Sequence, residues 1–250
     1  KNSYYLDFYK AWKYLDPKLE VAYQFGDVLH VPEVPTLVKS RPICRENARS
    51  ILMKWNTVRH YYFVPRDKPY REKRDMLIWR GRAGRCKSRQ QFIERWYGRP
   101  FTDIGDSGSQ CRHQPWHRPF TSIPEQLENK FILSIEGVDV ATNLTWIMSS
   151  NSLCFMAKPR YETWFMEGRL VPGRHYVCLR DDFSDLDEKI DHYLANPDEA
   201  EWIVENQLRW VDQFRDAERE RALQVNLLLR YLEFSGQLDL EEQELVQYVW

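Results

Sequence analysis

"FILSIEGVDVATNLTW", residues 131–146, decides the fold. An apolar run, 131–135, breaks at Glu136-Gly137, and a turn of short residues, 139–143, then opens a predicted helix over 142–150. The pattern repeats downstream. "SLCFMA" (152–157) reads as a strand followed by a helix over 161–168, and "HYVCL" (175–179) as a strand followed by "SDLDEKIDHYLANP" (184–197). The last helix is opened by Ser184-x-x-Asp187, close to a capping box. Continuously apolar strands alternating with short helices predict a parallel sheet covered on both faces, an α/β fold.

Upstream, "DMLIWRG" (75–81) reads as a strand and "SRQQFIERWYG" (88–98) as a helix stopped by Gly98. Residues 102–124, rich in Gly, Ser, His and Pro, read as a loop. The first forty residues give a short helix (5–14), a strand (21–25) closed by Gly26-Asp27, and the proline-rich crossing "HVPEVPTLVKSRP" (30–42). Residues 51–55 read as helical and "RHYYFVPRD" (59–67) as another strand. Two centres of α/β pattern predict two lobes. Residues 1–72 form the first, with helices of the 198–250 tail packing back on it, and residues 73–197 form the second.

The 250 residues carry a formal charge of −1, which excludes nucleic acid as the main partner, because phosphate-backbone binding needs a basic excess. Five scattered cysteines form no C-x-x-C pair and suit a reduced compartment. No apolar run reaches the ~18 residues that a spanning helix needs. No signal peptide is legible, and the chain starts at Lys1 rather than Met, as a piece of a longer protein does. The expected location is the cytoplasm.

In open α/β sheets ligands sit beyond the carboxyl ends of strands, so residues just after each strand carry the chemistry. The turn after Ile135 brings lightly clothed backbone and helix-start amides together, as an anion requires. A plain turn with Thr142 as N-cap gives the same pattern. "WRGRAGRCKSR" (79–89) adds Arg80, Arg82, Arg85, Lys87 and Arg89, spaced by Gly81 and Gly84, whose forked guanidinia suit a diphosphate. A solvated basic loop reads the same way. Neither G-x-G-x-x-G nor G-x-x-x-x-G-K-[ST] is present. Asp27, after an apolar strand, can act as a general base or simply close a turn. Cys111, His113 and His117 lie close together but are interrupted by Pro115, and the D-x-D of Asp185 and Asp187 is better explained by helix capping, so no metal is expected. No G-x-S-x-G elbow occurs.

In order along the chain, "KSRPI", "RHYYFVPRD", "WRG", "EGVDVATNLTWIMSSNSLCFM" and "HYVCLRDDFSDLDEKI" resemble glycosyltransferase family 90, which includes capsule enzymes, protein O-glucosyltransferases and lipopolysaccharide glycosyltransferases. The likeness runs from about residue 20 to 215, and "KSRPI … RHYYF" looks most like the lipopolysaccharide branch. The resemblance implies a GT-B-like pair of Rossmann-type lobes and inverting, metal-free transfer from a UDP-sugar, with no cofactor. It makes Asp27 of "FGDV" the catalytic base. Donor binding falls to Arg80, Gly81, Arg82, Arg89, the turn Gly137, Val138, Asp139, Val140, Ala141, Thr142 and Asn143, and Glu162. Protein O-glucosyltransferases end that turn with Arg where this chain has Asn143, so Arg82, Arg85 or backbone amides must meet the phosphate charge. Lys39, Arg41, Arg45, Arg49, Lys54 and Arg59 suggest a basic face for an anionic glycan or glycolipid acceptor, with Arg41, Arg45 and Arg49 on the acceptor side. Peripheral contact with the anionic inner face of a membrane follows from the same charges. Two rivals are a non-catalytic nucleotide-sugar-binding or scaffold protein, favoured by Asn143, and a nucleotide-dependent dehydrogenase, disfavoured by the missing glycine fingerprint.

Overall fold

The computed structural model describes residues 2–84 and 86–239. In chain order the elements are α1 (Ser3–Trp12), β1 (Tyr23–Gln24), β2 (Thr36–Val38), β3 (Ser40–Pro42), β4 (Ser50–Leu52), α2 (Thr57–His60), β5 (Arg74–Gly81), α3 (Lys87–Trp96), β6 (Thr102–Asp106), α4 (Ile123–Gln126), β7 (Asn129–Ser134), α5 (Leu144–Met148), β8 (Leu153–Ala157), β9 (Tyr161–Thr163), β10 (Val177–Leu179), α6 (Leu186–Ala195), α7 (Pro197–Asp212) and α8 (Ala217–Phe234). They form two compact units. One holds the chain through Tyr61, Arg160–Gly168 and the chain from Asp212 onward; the other holds Tyr62–Pro159 and Arg169–Val211.

In the second unit five parallel strands lie in the order β10-β8-β7-β5-β6. The apolar runs behave as parallel strands should. Leu77, Ile78, Trp79, Phe131, Ile132, Leu133, Cys154 and Phe155 are all buried, with helices to cover both faces. α3 turns Phe92, Ile93 and Trp96 inward and ends before Gly98, whose φ of +73° is open to glycine. From β5 the chain passes through α3 to β6 on one side. It then returns through α4 to β7 and proceeds through β8 to β10 on the other. The direction of winding therefore reverses between β5 and β7, and the carboxyl ends of these two strands flank the switch point.

The first unit has a parallel sheet ordered β1-β2-β4 and an antiparallel pair, β3 with β9, in which Arg41 faces Glu162. Its core gathers Phe8 and Ala11 of α1, Leu37, Met53, Trp55, and Val225, Leu228 and Leu229 of α8. Trp55 meets the rings of Phe8 and Phe25 edge-on. Buried Lys54 is held by Glu220 at 2.7 Å and the Phe214 carbonyl at 3.1 Å, and Trp164 donates to the same carboxylate at 2.8 Å.

The α/β fold with parallel sheets and a C-terminal helical segment is as expected, but several local readings are corrected. Residues 51–55 contribute to strand β4, not a helix, and 57–60 form a single helical turn where a strand was expected. Residues 161–168 form β9 and a turn, not a helix. The loop reading of 102–124 overlooked β6, and the proline-rich crossing hides β2 and β3. The start of the 184–197 region also differs: α6 is preceded by Asp185 as N-cap, whose carboxylate accepts from the Arg180 amide at 3.0 Å instead of capping the helix. The first unit ends at Tyr61 rather than 72 and regains residues 160–168. α7 lies with the second unit, because Ala200, Ile203 and Val204 enter the core of the five-stranded sheet. Residues 240–250 of the tail lie outside the described residues. No described helix is long and apolar enough to cross a membrane.

Candidate functional site

At the switch point the loop after β5 and the loop after β7 are joined by one side chain. Arg89, in the first turn of α3, donates from Nη1 to the Arg82 carbonyl at 3.0 Å and from Nη2 to the Ile135 carbonyl at 2.6 Å. Its guanidinium also lies against the Trp79 ring, 6.0 Å from the centroid. Among the described residues no carboxylate pairs with it, and its Nε is buried without a hydrogen-bond partner. Burial pushes the Arg89 pKa down from its ordinary value, opposed by nearby Cys86 and Asp106. An arginine stays protonated under such pressure, so the site holds a half-buried positive charge that two carbonyl dipoles offset only in part.

Gly137 leaves room for this arrangement. A Cβ placed there comes within 3.2 Å of Arg89 Nη2 and 3.3 Å of the guanidinium carbon, so any larger residue pushes the cation away from the turn. The Cys86 thiol, at the N-cap of α3, approaches the Glu136 and Gly137 carbonyls at 3.7 and 3.8 Å. On the β6 side, buried Asp106 accepts from the Ala83 amide at 3.2 Å and the Gly108 amide at 2.7 Å, clamping the glycine turn after β5 to the end of β6.

The remaining predicted donor residues are distributed unevenly. Gly81 ends β5 beside the crevice, and Arg82 is exposed next to it. Arg80 turns elsewhere: its guanidinium is bound to Asp103 at 2.7 Å and to Thr121 at 3.0 Å, which commits it to the fold. Val138 is exposed at the turn, whereas Asp139, Val140 and Ala141 are buried beneath it. Thr142 is not the N-cap; Asn143 is, and its side chain turns back to β7, donating to the Leu133 carbonyl at 3.1 Å and accepting from Ser134 at 3.0 Å. The Leu144 amide is taken by the Ala141 carbonyl at 3.2 Å, and α5 is only five residues long. With the first helical amide taken and the helix so short, the firmest positive charge beside this turn is that of Arg89. Arg85 lies outside the described residues.

In the first unit, Gly26 adopts φ +104° and sets Asp27 at the end of β1. The Asp27 carboxylate is 40% exposed, and one oxygen is held at 2.6 Å by Lys39, which is 2% exposed. His60 is buried near the pair. Burial, reinforced by Lys39 and Arg59 and opposed by Asp27, lowers its pKa to about 3, so it is neutral at ordinary pH. Glu162 also belongs to this unit, where it pairs with Arg41 at 2.8 Å.

The predicted basic face is corrected here. Lys39, Lys54 and Arg41 are spent on carboxylates, leaving Arg45, Arg49 and Arg59 exposed. Sequence reading counted Lys39 as a surface charge and passed over Asp106. The signals were faint: Lys39 directly continues the buried Thr36–Val38 strand, and Asp106 closes a strand masked by Gly105. Among the described residues no group of three or more His, Cys, Asp or Glu is placed to hold a metal ion.

Comparison with known proteins agrees with the residue pattern. The description Glycosyl transferase family 90 matches residues 48–237. The chain is 45% identical over 230 residues to O-glucosyltransferase LpsA of Dichelobacter nodosus, covering 92% of this chain and 72% of that protein. Among solved structures, sucrose-phosphate synthase of Thermosynechococcus elongatus superposes with a TM-score of 0.45 at 12% identity, over 67% of this chain and 47% of that one. With three quarters of its length inside the family match and a relative of such identity, this chain belongs to glycosyltransferase family 90.

Proposed function

We propose that the protein moves a sugar from a UDP-sugar to a hydroxyl of a glycan acceptor of the lipopolysaccharide or capsule type, with inversion and without a metal. The observation that carries this reading is the half-buried Arg89 cation at the switch point, held by two carbonyls and paired with no carboxylate among the described residues. A diphosphate is the ligand that such a charge suits, and a guanidinium already fixed in place and partly shielded from water stabilises a leaving UDP with little reorganisation. In this reading the second unit takes the donor, and the first takes the acceptor and supplies Asp27. One Asp27 oxygen is fixed by Lys39, and the other accepts the proton of the attacking hydroxyl. That hydroxyl oxygen bonds to the anomeric carbon as the bond to UDP breaks on the opposite face, and the electron pair leaves with the diphosphate. Glu162, tied to Arg41, orients acceptor-side residues in this scheme instead of touching the donor. The name of the Dichelobacter relative speaks of O-glucosyl transfer, which favours a hexose over a pentose.

A panel of radiolabelled UDP-sugars, read by UDP release with and without glycan acceptors, tests the proposal. Acceptor-dependent release from one donor is the expected result. Tight UDP binding with no turnover on any acceptor favours the scaffold reading instead.

A further inference from the structure

Next to the Arg89 crevice, on its β6 side, the second unit has a cleft of about 380 Å³. One wall is α3, with Gln90, Ile93 and Glu94; the other is the segment after β6, with Gln110, Gln114 and half-buried Trp116. The Ala83-Gly84 turn and Asp106 also line it, at the carboxyl ends of β5 and β6, the edge at which α/β sheets bind ligands.

The lining restricts the ligand. Among the described residues the walls carry no Lys or Arg, while Glu94 and Asp106 contribute two carboxylates. A phosphate or carboxylate therefore meets two carboxylates and no permanently charged cation, with only the His113 imidazole on the opposite side of the balance. A wholly apolar ligand offers no hydrogen bonds to the three amide side chains and Glu94 whose water it displaces, which costs free energy. A neutral polyhydroxylated ligand satisfies both parts. Its C–H face lies on the indole of Trp116 and on Ile93, and its hydroxyls meet groups that both donate and accept. Two of the amides are already oriented: Gln90 donates to the Gly84 carbonyl at 2.6 Å, leaving its oxygen as an acceptor, and Gln114 lies 3.0 Å from the His113 ring nitrogen. The volume falls in the lower part of the range for small-molecule sites, roughly 300–1,000 Å³.

We infer that this cleft is a saccharide subsite that takes one or two neutral sugar residues of a glycan, adjoining the donor crevice across the Ala83-Gly84 turn and Asp106 but not overlapping the place of the diphosphate. Its role in anchoring the acceptor rests on the proposed glycosyl transfer; the binding itself does not. A saccharide held here gives the enzyme a grip on its glycan that is independent of the charge at Arg89.

Saturation-transfer NMR on the full chain tests this with methyl glucoside, maltose and lactose as neutral probes, glucuronate as the anionic control, and UDP as competitor. The expected neutral-sugar Kd is on the order of 1 mM. Gln110→Ala with Gln114→Ala, surface changes that leave the core intact, should weaken it about tenfold, the loss of roughly one hydrogen bond. UDP affinity should not change, and glucuronate should bind more weakly than the neutral sugars. Trp116→Phe should retain part of the binding. The inference is overturned if no neutral sugar gives transfer, if the double variant binds as the parent does, or if UDP displaces the sugar. Failure of the donor reading shows separately, as absence of UDP binding in the same titration.

Discussion

Lys39 Nζ lies 2.6 Å from Asp27 Oδ1, with the lysine side chain buried and the carboxylate partly open to solvent. A buried ammonium that holds one oxygen of a carboxylate leaves the other oxygen oriented outward. In the proposed mechanism that oxygen is the proton acceptor, with buried, neutral His60 near the pair.

The first prediction follows from that geometry. Asp27→Asn should lower transfer by about 10²–10⁴-fold, the usual worth of a general base, and leave UDP affinity within about twofold. Lys39→Met should lower kcat less and also spare UDP binding, because it acts through Asp27. Titration of UDP alongside steady-state kinetics checks both. An Asp27→Asn enzyme retaining more than about a tenth of parental activity removes Asp27 from the mechanism.

Arg89 gives the second. Arg89→Met should weaken UDP binding by about 10- to 100-fold, since a charge-assisted contact to a phosphate is worth roughly 1.5–3 kcal/mol. Gly137→Ala should produce a smaller loss of the same kind, because its Cβ would sit 3.2 Å from Nη2 and displace the guanidinium. Calorimetric UDP affinities decide it. Parental affinity in both variants would place the diphosphate elsewhere.

A third prediction concerns metals. With Arg89 supplying positive charge at the proposed diphosphate site, EDTA should leave the rate unchanged. A large loss, restored by Mn²⁺ or Mg²⁺, would overturn metal-free transfer and return attention to Asp185 and Asp187.

The legible parts of the fold were those that local sequence determines. β5, β7 and β8 are buried parallel strands, so their apolar runs stand out between turn residues. β6, "TDIGD", carries two aspartates and a glycine at the sheet edge, and its pairing with β5 is set by tertiary structure rather than by pattern. Residues 161–168 have aromatic spacing that suits a helix, but β9 is fixed by pairing with β3, over a hundred residues away. At the candidate site, the family resemblance singled out Arg89 from the basic loop, and the strand end singled out the glycine turn. Neither could show that Arg80 is consumed by Asp103, that Asn143 faces β7, or that Lys39 is buried under Asp27, since each depends on where side chains meet in space.

A fourth prediction addresses the acceptor. Arg45 and Arg49 remain exposed where Lys39, Arg41 and Lys54 do not. Reversing both charges should raise the KM for an anionic acceptor and weaken binding to anionic liposomes, with UDP affinity unchanged. If acceptor kinetics and liposome binding both stay as in the parent, a neutral or protein acceptor becomes the better reading.

The last prediction concerns pH and stability in the first unit. Glu167 is fully buried and accepts from the Thr163 amide at 2.6 Å and from its hydroxyl at 2.9 Å. Burial is the chief cause that raises its carboxyl from 4.5 to about 7, against the lowering effect of these hydrogen bonds. The folded protein therefore binds more protons here than the unfolded chain between those two values. Its contribution is fully present below about 4.5 and is lost as pH rises through about 7. His60, lowered to about 3, works in the opposite direction between about 3 and 6.5, but it is common to parent and variant and cancels in their difference. Glu167→Gln keeps an acceptor for the Thr163 amide and has no proton to lose. Its melting temperature relative to the parent should therefore climb as pH is raised from about 4.5 to 8, by an amount on the order of 3 kcal/mol in stability. Parallel melting curves for the two proteins across that range would mean that Glu167 titrates as an ordinary surface carboxylate.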